Sequence, residues 1–407
     1  FYKNIRKEWC NMNIKKQLRK LYLYELISGF QIVDAVWVVF LLQRGFSIAQ
    51  VGIAEGVFHV VSMCCEIPSG MVADLIGRKR TLVLSGLVSA AGSLCMILTN
   101  AFPMILVAMG LNALSYNLVS GSREALTYDS LLEAGAQEEY LRVSAIQEKL
   151  YLFVFAAANL FSVVTVSLGY EKGYLISMVQ GICCSIVAFR IWEPGRENTK
   201  QHEKNRNWTR ILRKHVIESG KFFVTHGFAA RRMLISGVAA AGYYIVFMLL
   251  QQHLVEQGLQ AKWIGIPLLL ISFGGMAGAS LGEKTGKVKI KFLLLAGGVL
   301  EGVLIVFSGM PALPGCVLAA AFAHGISEML AIRIGDENQK VFSSEVRATM
   351  VSVESMVYSV VMVVLSPVVG WLSEKFSISG AFGILGIFVS FLVCILVLLP
   401  KESNFPD

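Results

Sequence analysis

Residues 70–80 read Gly-Met-Val-Ala-Asp-Leu-Ile-Gly-Arg-Lys-Arg and separate two strongly apolar stretches. Gly70 lacks a side chain and predicts a close approach between two helices, and Gly77 permits a tight turn. Asp74 can face the positive amino end of another helix, and the loop ends in a basic run that suits lipid headgroups or acidic partners: Arg78, Lys79 and Arg80. An ordinary basic loop is the alternative, since cytoplasmic loops of membrane proteins are rich in Lys and Arg. The combined spacing of glycines, acid and bases favours a specific motif.

The composition of the chain indicates that these apolar stretches lie in a membrane. Of the 407 residues, 55% are hydrophobic and 16% are charged, and the mean hydropathy is +0.62. Soluble domains carry roughly 25% charged residues, and a spanning helix needs about 20 apolar ones. Twelve spans would use about 240 residues and leave no room for a large extramembrane domain. The composition therefore excludes a soluble globular enzyme and predicts an all-α polytopic membrane protein.

The apolar stretches form two sets of six. The first set covers residues 21–42, 49–73, 81–99, 102–127, 144–168 and 173–191. The second set covers residues 231–254, 261–281, 290–309, 314–334, 346–371 and 377–399. The predicted organisation is therefore a six-helix bundle over residues 1–191 with a basic amino-terminal segment, a linker over residues 192–230, and a second six-helix bundle over residues 231–407.

The net charge of +8 follows the predicted topology. Lys and Arg are concentrated in the amino-terminal segment, the loop of residues 70–80, the central linker and the connection around residues 284–291. Since cytoplasmic loops carry the positive charge, both termini and the linker are predicted to be cytoplasmic, and nucleic-acid binding is not expected. Within the linker, residues 208–223 fit either an amphipathic helix on the membrane surface or a loose tether.

The eight cysteines lie mostly in apolar runs and do not have the spacing of zinc ligands. They predict helix packing and no metal site, disulfide or other cofactor. Because the sequence begins with Phe1, the chain is expected to be a trimmed product or a fragment. The stretch from Leu21 has full membrane length without a small-residue cleavage pattern, so it is interpreted as the first span and not as a signal peptide.

The loop of residues 70–80 resembles the signature loop of the major facilitator superfamily, which joins spans two and three on the cytoplasmic face. A weaker echo follows the eighth predicted span, where the same spacing holds Ala279, Glu283, Gly286 and Lys287. Over the whole chain, the resemblance implies twelve transmembrane helices in two pseudo-symmetric bundles around a central cavity. It also implies a secondary transporter that works by alternating access.

Two further segments resemble bacterial members that are often described as efflux proteins, namely Glu66-Ile-Pro-Ser-Gly70 and the end of the fourth span from Ser120 to Asp129. By analogy, Arg78 pairs with Asp129, and Asp74 meets the start of the eleventh span near Ser344. Arg123 lies in the same fourth-span segment. These contacts are expected to hold the cytoplasmic side closed, although a purely structural role is the alternative. The fifth span lacks the proline of a motif common in drug–proton antiporters, which weakens that assignment.

Ionisable residues inside predicted spans are costly, at about 2.5–3.5 kcal/mol each, so they indicate a cavity, a partner or a function. Asp34 is the strongest case, because it lies deep in the first predicted span, although a carboxylate bound to neighbouring helices is an equal alternative. His324 and Glu328 share one face of the tenth span, and Glu55 and His59 share one face of the second, where Glu55 is close enough to the end to be solvated. The predicted proton-coupling residues are Asp34, Glu66, His324, Glu328 and Glu354.

Neutral polar and aromatic residues are candidates for lining a substrate cavity: Gln31, Asn112, Tyr116, Asn117, Asn159, Tyr243, Phe247, Gln251 and Tyr358. Several recur at helical spacing, which also fits ordinary helix packing. Aromatic groups with few fixed charges suit an amphiphilic solute better than a sugar phosphate, which normally needs an Arg or Lys clamp.

Together these features predict a monomeric inner-membrane transporter for a small-molecule substrate, with protons or another cation as the coupling ion. Efflux of drug-like or amphiphilic compounds is favoured, an uptake symporter is the nearest alternative, and a non-transporting receptor on the same fold is a third. A membrane enzyme is disfavoured because the histidines are scattered and form no catalytic cluster, and no phosphate-binding loop is present for direct use of ATP.

Overall fold

The computed structural model describes residues 2–194, 227–341 and 347–399. Within these ranges the regular elements are helices, and three short turns of 3₁₀-helix, Gln137–Glu139, Ala261–Trp263 and Thr285–Lys287, join some of them. The α-helices are α1 Tyr2–Ser28, α2 Trp37–Gln43, α3 Ile48–Ile76, α4 Arg78–Leu98, α5 Phe102–Glu133, α6 Tyr140–Leu160, α7 Ser162–Leu168, α8 Tyr170–Arg190, α9 Gly227–Glu256, α10 Gly265–Lys284, α11 Ile290–Phe307, α12 Leu313–Val341 and α13 Arg347–Leu398. The predicted interfacial helix of residues 208–223 lies outside the described residues.

Among the helices of these ranges, nine are long and apolar enough to cross a membrane, or ten if the bent pair α6–α7 is one span. Helix length alone therefore does not confirm twelve spans, which stay a prediction. The last two predicted spans are both contained in α13, where Ser377 leaves the helical conformation with φ of 69°. Large apolar side chains on the outside, such as Leu98 at 74% and Phe153 at 72% exposure, suit lipid better than water.

The first predicted span is broken, which corrects the expectation of one helix over residues 21–42. α1 ends at Ser28 and α2 begins at Trp37, so Asp34 lies in the break and not along a helix. Backbone groups in a membrane need partners, and α8 supplies them, since the Gln180 amide donates to the carbonyls of Ile27 at 2.9 Å and Ser28 at 3.1 Å. The sequence offered no proline to announce this break.

The described part of the chain divides into two compact units. Among the described residues, the first unit comprises 2–34 and 64–194, and the second comprises 35–63, 227–341 and 347–399. α2 and the first half of α3 therefore pack with the second unit, although they precede most of the first unit in sequence. The two bundles predicted from the sequence, residues 1–191 and 231–407, have different bounds from these units. The division of the chain into two six-helix bundles stays a prediction.

Small residues bring helices together inside each unit. In the first unit α4 packs on α8, where a Cβ on Gly181 would lie 2.7 Å from the carbonyl oxygen of Gly86. In the second unit α10 crosses α12 at Gly278 and Gly325, with backbone against backbone. These close crossings pack the helices of each unit directly against one another, and the polar side chains described below lie on these helices.

Candidate functional site

A buried ion pair joins three helices of the first unit. Glu25 of α1 is fully buried, and its Oε2 lies 3.2 Å from Nη1 of Arg123 on α5. The side-chain amide of Gln147 on α6 donates to the other carboxylate oxygen at 3.3 Å. Both oxygens of Glu25 are thus bound, which is what a carboxylate needs away from water.

Two further acids surround Arg123. Its Nη2 lies 3.8 Å from Glu124 and 3.8 Å from Glu148, and both of these side chains are largely exposed. Gln147 is held in place by the hydroxyl of Thr127, which donates to its amide oxygen at 3.2 Å. One guanidinium therefore stands between one buried and two accessible carboxylates.

A cavity of about 350 Å³ opens beside this network, between α5 and α6. Its lining is polar and consists of Arg123, Glu124, Tyr140, Ser144, Ala145, Gln147 and Glu148. The volume is at the lower end of the range for small-molecule sites. The cavity brings solvent to the accessible side of Arg123, while Glu25 remains buried behind it.

Residues 70–80, predicted as a loop, instead form the end of α3 and the start of α4 on either side of Gly77, within the first unit. Arg78 forms an ion pair with Asp129, as the family resemblance implies, and also donates to the carbonyl of Ala125 at 3.1 Å. Gly77 has φ of 98°, which confirms the tight turn, and a Cβ there would overlap the carboxylate of Glu193. Arg78 lies close enough to Asp74 to interact electrostatically.

Other expectations for this loop are corrected or lie outside the described residues. A Cβ on Gly70 would meet no atom of the described chain within 4 Å, so this residue is not a site of close helix approach. The echo in the second half lacks the tight turn, because Gly286 lies in a 3₁₀-helix without a positive φ. Lys79 packs over the ring of Phe189 at 4.9 Å and Arg80 is exposed. Ser344, the expected partner region of Asp74, lies outside the described residues.

The predicted pair of the tenth span is present in the second unit. Nε2 of His324 lies 3.5 Å from Oε1 of Glu328 on α12, and Nδ1 lies 3.0 Å from the carbonyl oxygen of Ile271. Tyr243 of α9 stacks on the His324 ring, with centroids 3.8 Å apart and planes 1° from parallel. Tyr243 in turn contacts Phe247 at 6.1 Å between centroids.

The remaining predicted acids are scattered. Asp34 lies in the break between α1 and α2, near enough to Tyr151 of α6 to interact electrostatically, and the adjacent Gln31 caps the carbonyl of Ser28 at 3.2 Å. Glu66 on α3 and Glu354 on α13 are half-buried. Glu66 belongs to the first unit and Glu354 to the second, so neither unit contains both acids.

The predicted cavity residues also separate into buried and exposed groups. Tyr116 is 63% exposed, whereas Asn117, Asn159 and Gln251 are buried. Asn112 lies against Gly92 of α4, which is a helix contact. Both polar atoms of the Asn159 amide lack a hydrogen-bond partner among the described residues. The ring of Tyr358 on α13 meets the ring of His59 on α3 edge to face, with centroids 5.2 Å apart.

Glu25 is the residue that sequence reasoning missed. It lies four residues after the start of the first predicted span, close to the end of the helix, where an acidic side chain can usually reach water. The sequence therefore gave no reason to predict a functional role for it. The available signal was Arg123, the one basic residue of note within a predicted span, which required an acidic partner in the membrane.

Comparison with known proteins gives the family. The model of the Major Facilitator Superfamily matches residues 26–334. The chain belongs to the Major Facilitator Superfamily. The sequence resemblance and the predicted fold class are therefore confirmed, and the family indicates a multi-pass membrane transporter and not an enzyme.

Relatives agree with this assignment. The uncharacterized MFS-type transporter YxaM of Bacillus subtilis (strain 168) is 22% identical over 400 residues, which cover 94% of this chain and 96% of that protein. The inner membrane transport protein YajR of Escherichia coli (strain K12) is 22% identical over 299 residues, which cover 72% of this chain and 62% of that protein. The crystal structure of the nucleoside transporter NupG aligns with a TM-score of 0.78 over 96% of this chain and 100% of its own, at 14% identity. At that identity the structural likeness shows the fold alone.

Proposed function

We propose that this chain is a proton-coupled secondary transporter that exports small amphiphilic compounds by alternating access, with Glu25 as its proton-binding residue. The observation that carries the proposal is the fully buried carboxylate of Glu25, paired with Arg123 beside a polar cavity. Drug–proton coupling requires a titratable group whose contacts depend on its protonation, and a buried carboxylate paired with an arginine beside a cavity suits that role.

The network supports two arrangements of charge. With Glu25 ionised, Arg123 neutralises it at 3.2 Å. Protonation of Glu25 removes that attraction, and the guanidinium then has Glu124 and Glu148 as alternative partners, each already 3.8 Å away. A buried charge that loses its partner costs about 3–5 kcal/mol. Transfer of Arg123 between partners therefore couples a proton to a change in the contact between α1 and α5.

The cavity supplies a proton route. Glu148 and Glu124 line the cavity and are accessible, while Gln147 spans from the cavity lining to Glu25. Water in the cavity can exchange protons with the outer acids, and Arg123 separates them from Glu25. This arrangement suits a proton that enters from the cavity and not from lipid.

Efflux is favoured over uptake because the segments Glu66-Ile-Pro-Ser-Gly70 and Ser120–Asp129 resemble bacterial efflux proteins. A bacterial inner-membrane location with cytoplasmic termini completes the proposal, and it is supported by the inner-membrane relative and by the distribution of Lys and Arg. We propose a monomer with the predicted aromatic residues, including Tyr116 and Tyr243, in contact with substrate.

The test is transport in proteoliposomes under an imposed pH gradient, with a panel of fluorescent amphiphiles and common metabolites. The wild type is expected to move at least one compound across the membrane in the direction opposite to the flow of protons. Glu25→Gln is expected to lose gradient-driven transport but to retain exchange of substrate across the membrane, because only the proton-binding group has changed. Glu133→Gln, which alters an exposed acid at the end of α5 outside this network, is the matched control and should keep the coupling.

Three outcomes contradict the proposal. Movement in the same direction as the protons indicates an uptake symporter. Movement that ignores the pH gradient, in wild type and Glu25→Gln alike, indicates a facilitator or another coupling ion. If nothing moves across the whole panel, a receptor on the same fold gains support.

A further inference from the structure

The cavity beside Arg123 has an excess of negative charge. Its lining contains one guanidinium, that of Arg123, and two carboxylates, those of Glu124 and Glu148. The buried carboxylate of Glu25 lies behind the guanidinium, at 3.2 Å. When all four groups are ionised, one positive and three negative side chains leave this network with a net charge of −2. The cavity therefore attracts a cationic ligand and disfavours an anionic one.

The two outer carboxylates are open to a ligand. The side chains of Glu124 and Glu148 are 63% and 54% exposed, and each lies 3.8 Å from Nη2 of Arg123, which is longer than a hydrogen bond. Neither carboxylate makes a hydrogen bond to another residue in the described ranges. Because both lie at the same distance from one nitrogen atom, a small ligand in the cavity can reach both of them.

Accessibility distinguishes these two acids from acids that are enclosed by the protein. The expectation that Glu55 of α3 is solvated is wrong, because this residue is 2% exposed and its Oε1 lies 3.2 Å from Nε2 of His59. Glu301 of α11 is fully buried. A ligand that enters from water can contact Glu124 and Glu148, whereas these enclosed carboxylates are out of its reach.

The rest of the lining favours an ammonium group that carries N–H bonds. The cavity presents hydroxyl and amide groups, from Tyr140, Ser144 and Gln147, and the ring of Tyr140 is the one aromatic ring in its lining. That ring is already in edge-to-face contact with Tyr128, at 5.3 Å between centroids. Quaternary ammonium groups have no N–H to donate and are bound by cages of several aromatic rings. Carboxylates instead bind a primary ammonium group through short, charge-assisted hydrogen bonds.

An aromatic surface, formed by Tyr116, Tyr151 and Phe155, continues from the cavity along the same two helices. The exposed Tyr116 lies seven residues before Arg123 on α5, and Phe155 lies seven residues after Glu148 on α6, spacings that keep both rings on the helix faces of the cavity charges. Phe155 stacks on Tyr151 at 6.1 Å between centroids, and Tyr151 is close enough to Tyr116 to interact electrostatically. The aromatic surface suits an apolar tail attached to the ammonium group.

The depth of the cavity suits entry of a ligand from one aqueous side. α5 begins at Phe102, and the helix from there to Arg123 is about 32 Å long, close to the thickness of the hydrocarbon core of a bilayer. The charges of the cavity thus lie near the membrane surface, and the aromatic surface extends from them toward the membrane interior. On the topology proposed above, this end of α5 faces the cytoplasm, where an exporter takes up its substrate.

We propose that the cavity binds the ammonium group of a primary amine between Glu124 and Glu148, and that the exported amphiphiles are primary amines whose apolar tail lies along the aromatic surface. The inference rests on the proposed function only in that the bound amine is the exported compound. Binding itself requires neither a pH gradient nor transport.

The experiment measures the binding of four probes to the purified protein in phosphatidylcholine nanodiscs, by isothermal titration calorimetry against empty nanodiscs. The probes share a phenylbutyl tail and differ in the head group: 4-phenylbutylamine, its trimethylammonium analogue, 4-phenylbutanol and 4-phenylbutyrate. The wild type is expected to bind the primary amine about tenfold or more tightly than the trimethylammonium compound or the alcohol, because these two heads lack the charge-assisted hydrogen bonds. The carboxylate should bind most weakly.

The variants separate the head of the ligand from its tail. Glu124→Gln and Glu148→Gln should each weaken binding of the primary amine by about tenfold and leave the affinity for the alcohol unchanged, because they remove a charge and keep the size of the side chain. Tyr116→Ala should weaken amine and alcohol alike. Glu133→Gln, an exposed acid at the end of α5 outside the cavity, is the matched control and should bind all four probes as the wild type does.

Three results overturn the inference. The first is a wild type that binds no amine, or that binds the alcohol or the trimethylammonium compound as tightly as the primary amine, and it requires no variant to fold. The second is wild-type affinity for the amine in both Glu124→Gln and Glu148→Gln. The third is tightest binding of the carboxylate, which would make Arg123 the recognition group.

Failure of this inference and failure of the proposed function give different results. A protein that binds the probes as expected, but whose transport ignores the pH gradient, contradicts the proposed coupling alone. Proton-driven export by a protein without preference for the primary amine contradicts the amine site alone.

Discussion

Replacement of Gly370 by alanine is expected to weaken the contact between α3 and α13. A Cβ at this position would lie 2.8 Å from the carbonyl oxygen of Ile48, 3.2 Å from Cα of Ala49 and 3.3 Å from Cα of Gly52. Close carbon–oxygen contacts between backbones are about 3.3 Å or longer. The two helices must therefore separate by about 0.5 Å to accept one methyl group, because the opposing atoms are backbone and cannot rotate away.

The magnitude follows from the cost of overpacking, which is typically 1–3 kcal/mol. At about 1.4 kcal/mol per factor of ten, the ratio of protein in which α3 and α13 are packed together to protein in which they are apart should fall by about 5-fold to 150-fold. Spin labels at Gln43→Cys on α2 and Phe376→Cys on α13, both exposed positions, measure this ratio by double electron–electron resonance in a background without other cysteines. Under conditions where the wild type shows one short distance, Gly370→Ala should show a second, longer distance.

Gly383→Ala is the matched control, since it lies on the same α13 and a Cβ there would meet no described atom within 4 Å. It should leave the distance distribution unchanged. If Gly370→Ala also leaves it unchanged, the close crossing does not hold the two helices together, and the steric reasoning is refuted. An equal effect of both variants would indicate a general effect of an added methyl group on α13, and not the close crossing with α3.

Three further predictions concern stability, measured as thermal unfolding of purified protein. Gly77→Ala should cost about 1–2 kcal/mol or more because of its left-handed backbone, whereas Gly70→Ala should stay within about 0.5 kcal/mol; equal melting temperatures would contradict this. Arg232→Gln should cost about 1.5–3 kcal/mol, since its buried guanidinium donates to Asn338 at 2.9 Å, and an unchanged melting temperature would show that this bond contributes nothing. Glu301→Met should raise the melting temperature, because both oxygens of this fully buried carboxyl lack a hydrogen-bond partner among the described residues; a fall would reveal a structural partner for Glu301.

The family and most of the helices could be predicted from the sequence because both depend on local signals. Residues 70–80 carry a motif whose turn at Gly77 requires a positive φ, and long apolar runs are sufficient to indicate spanning helices. The break before α2 could not be predicted, because it depends on a distant side chain. Gln180 satisfies the carbonyls that the broken helix leaves open, and nothing near residue 28 announces that partner.

The candidate site was predicted only in part, for a similar reason. Arg78 and Asp129 were paired through the family resemblance, and His324 and Glu328 through helical spacing, so both predictions needed only one motif or one helix. The environment of Glu25 is made by three helices, and the ring of His59 on α3 meets tyrosine rings from α9 and α13. Depth in a predicted span is a poor guide to burial when the neighbours are distant in sequence.

The hydrogen bond between Ser366 and Gly52 joins residues 314 positions apart. A ribosome that adds about 5–20 residues per second needs roughly 15–60 s to synthesise that interval. Throughout this time the glycine face of α3 lacks α13, the helix against which it packs, and the membrane must accommodate that face with lipid or with an insertion factor. The order of biosynthesis thus makes this crossing one of the last contacts to form, and a defect there should appear as slow maturation or turnover by proteases before any loss of transport is seen.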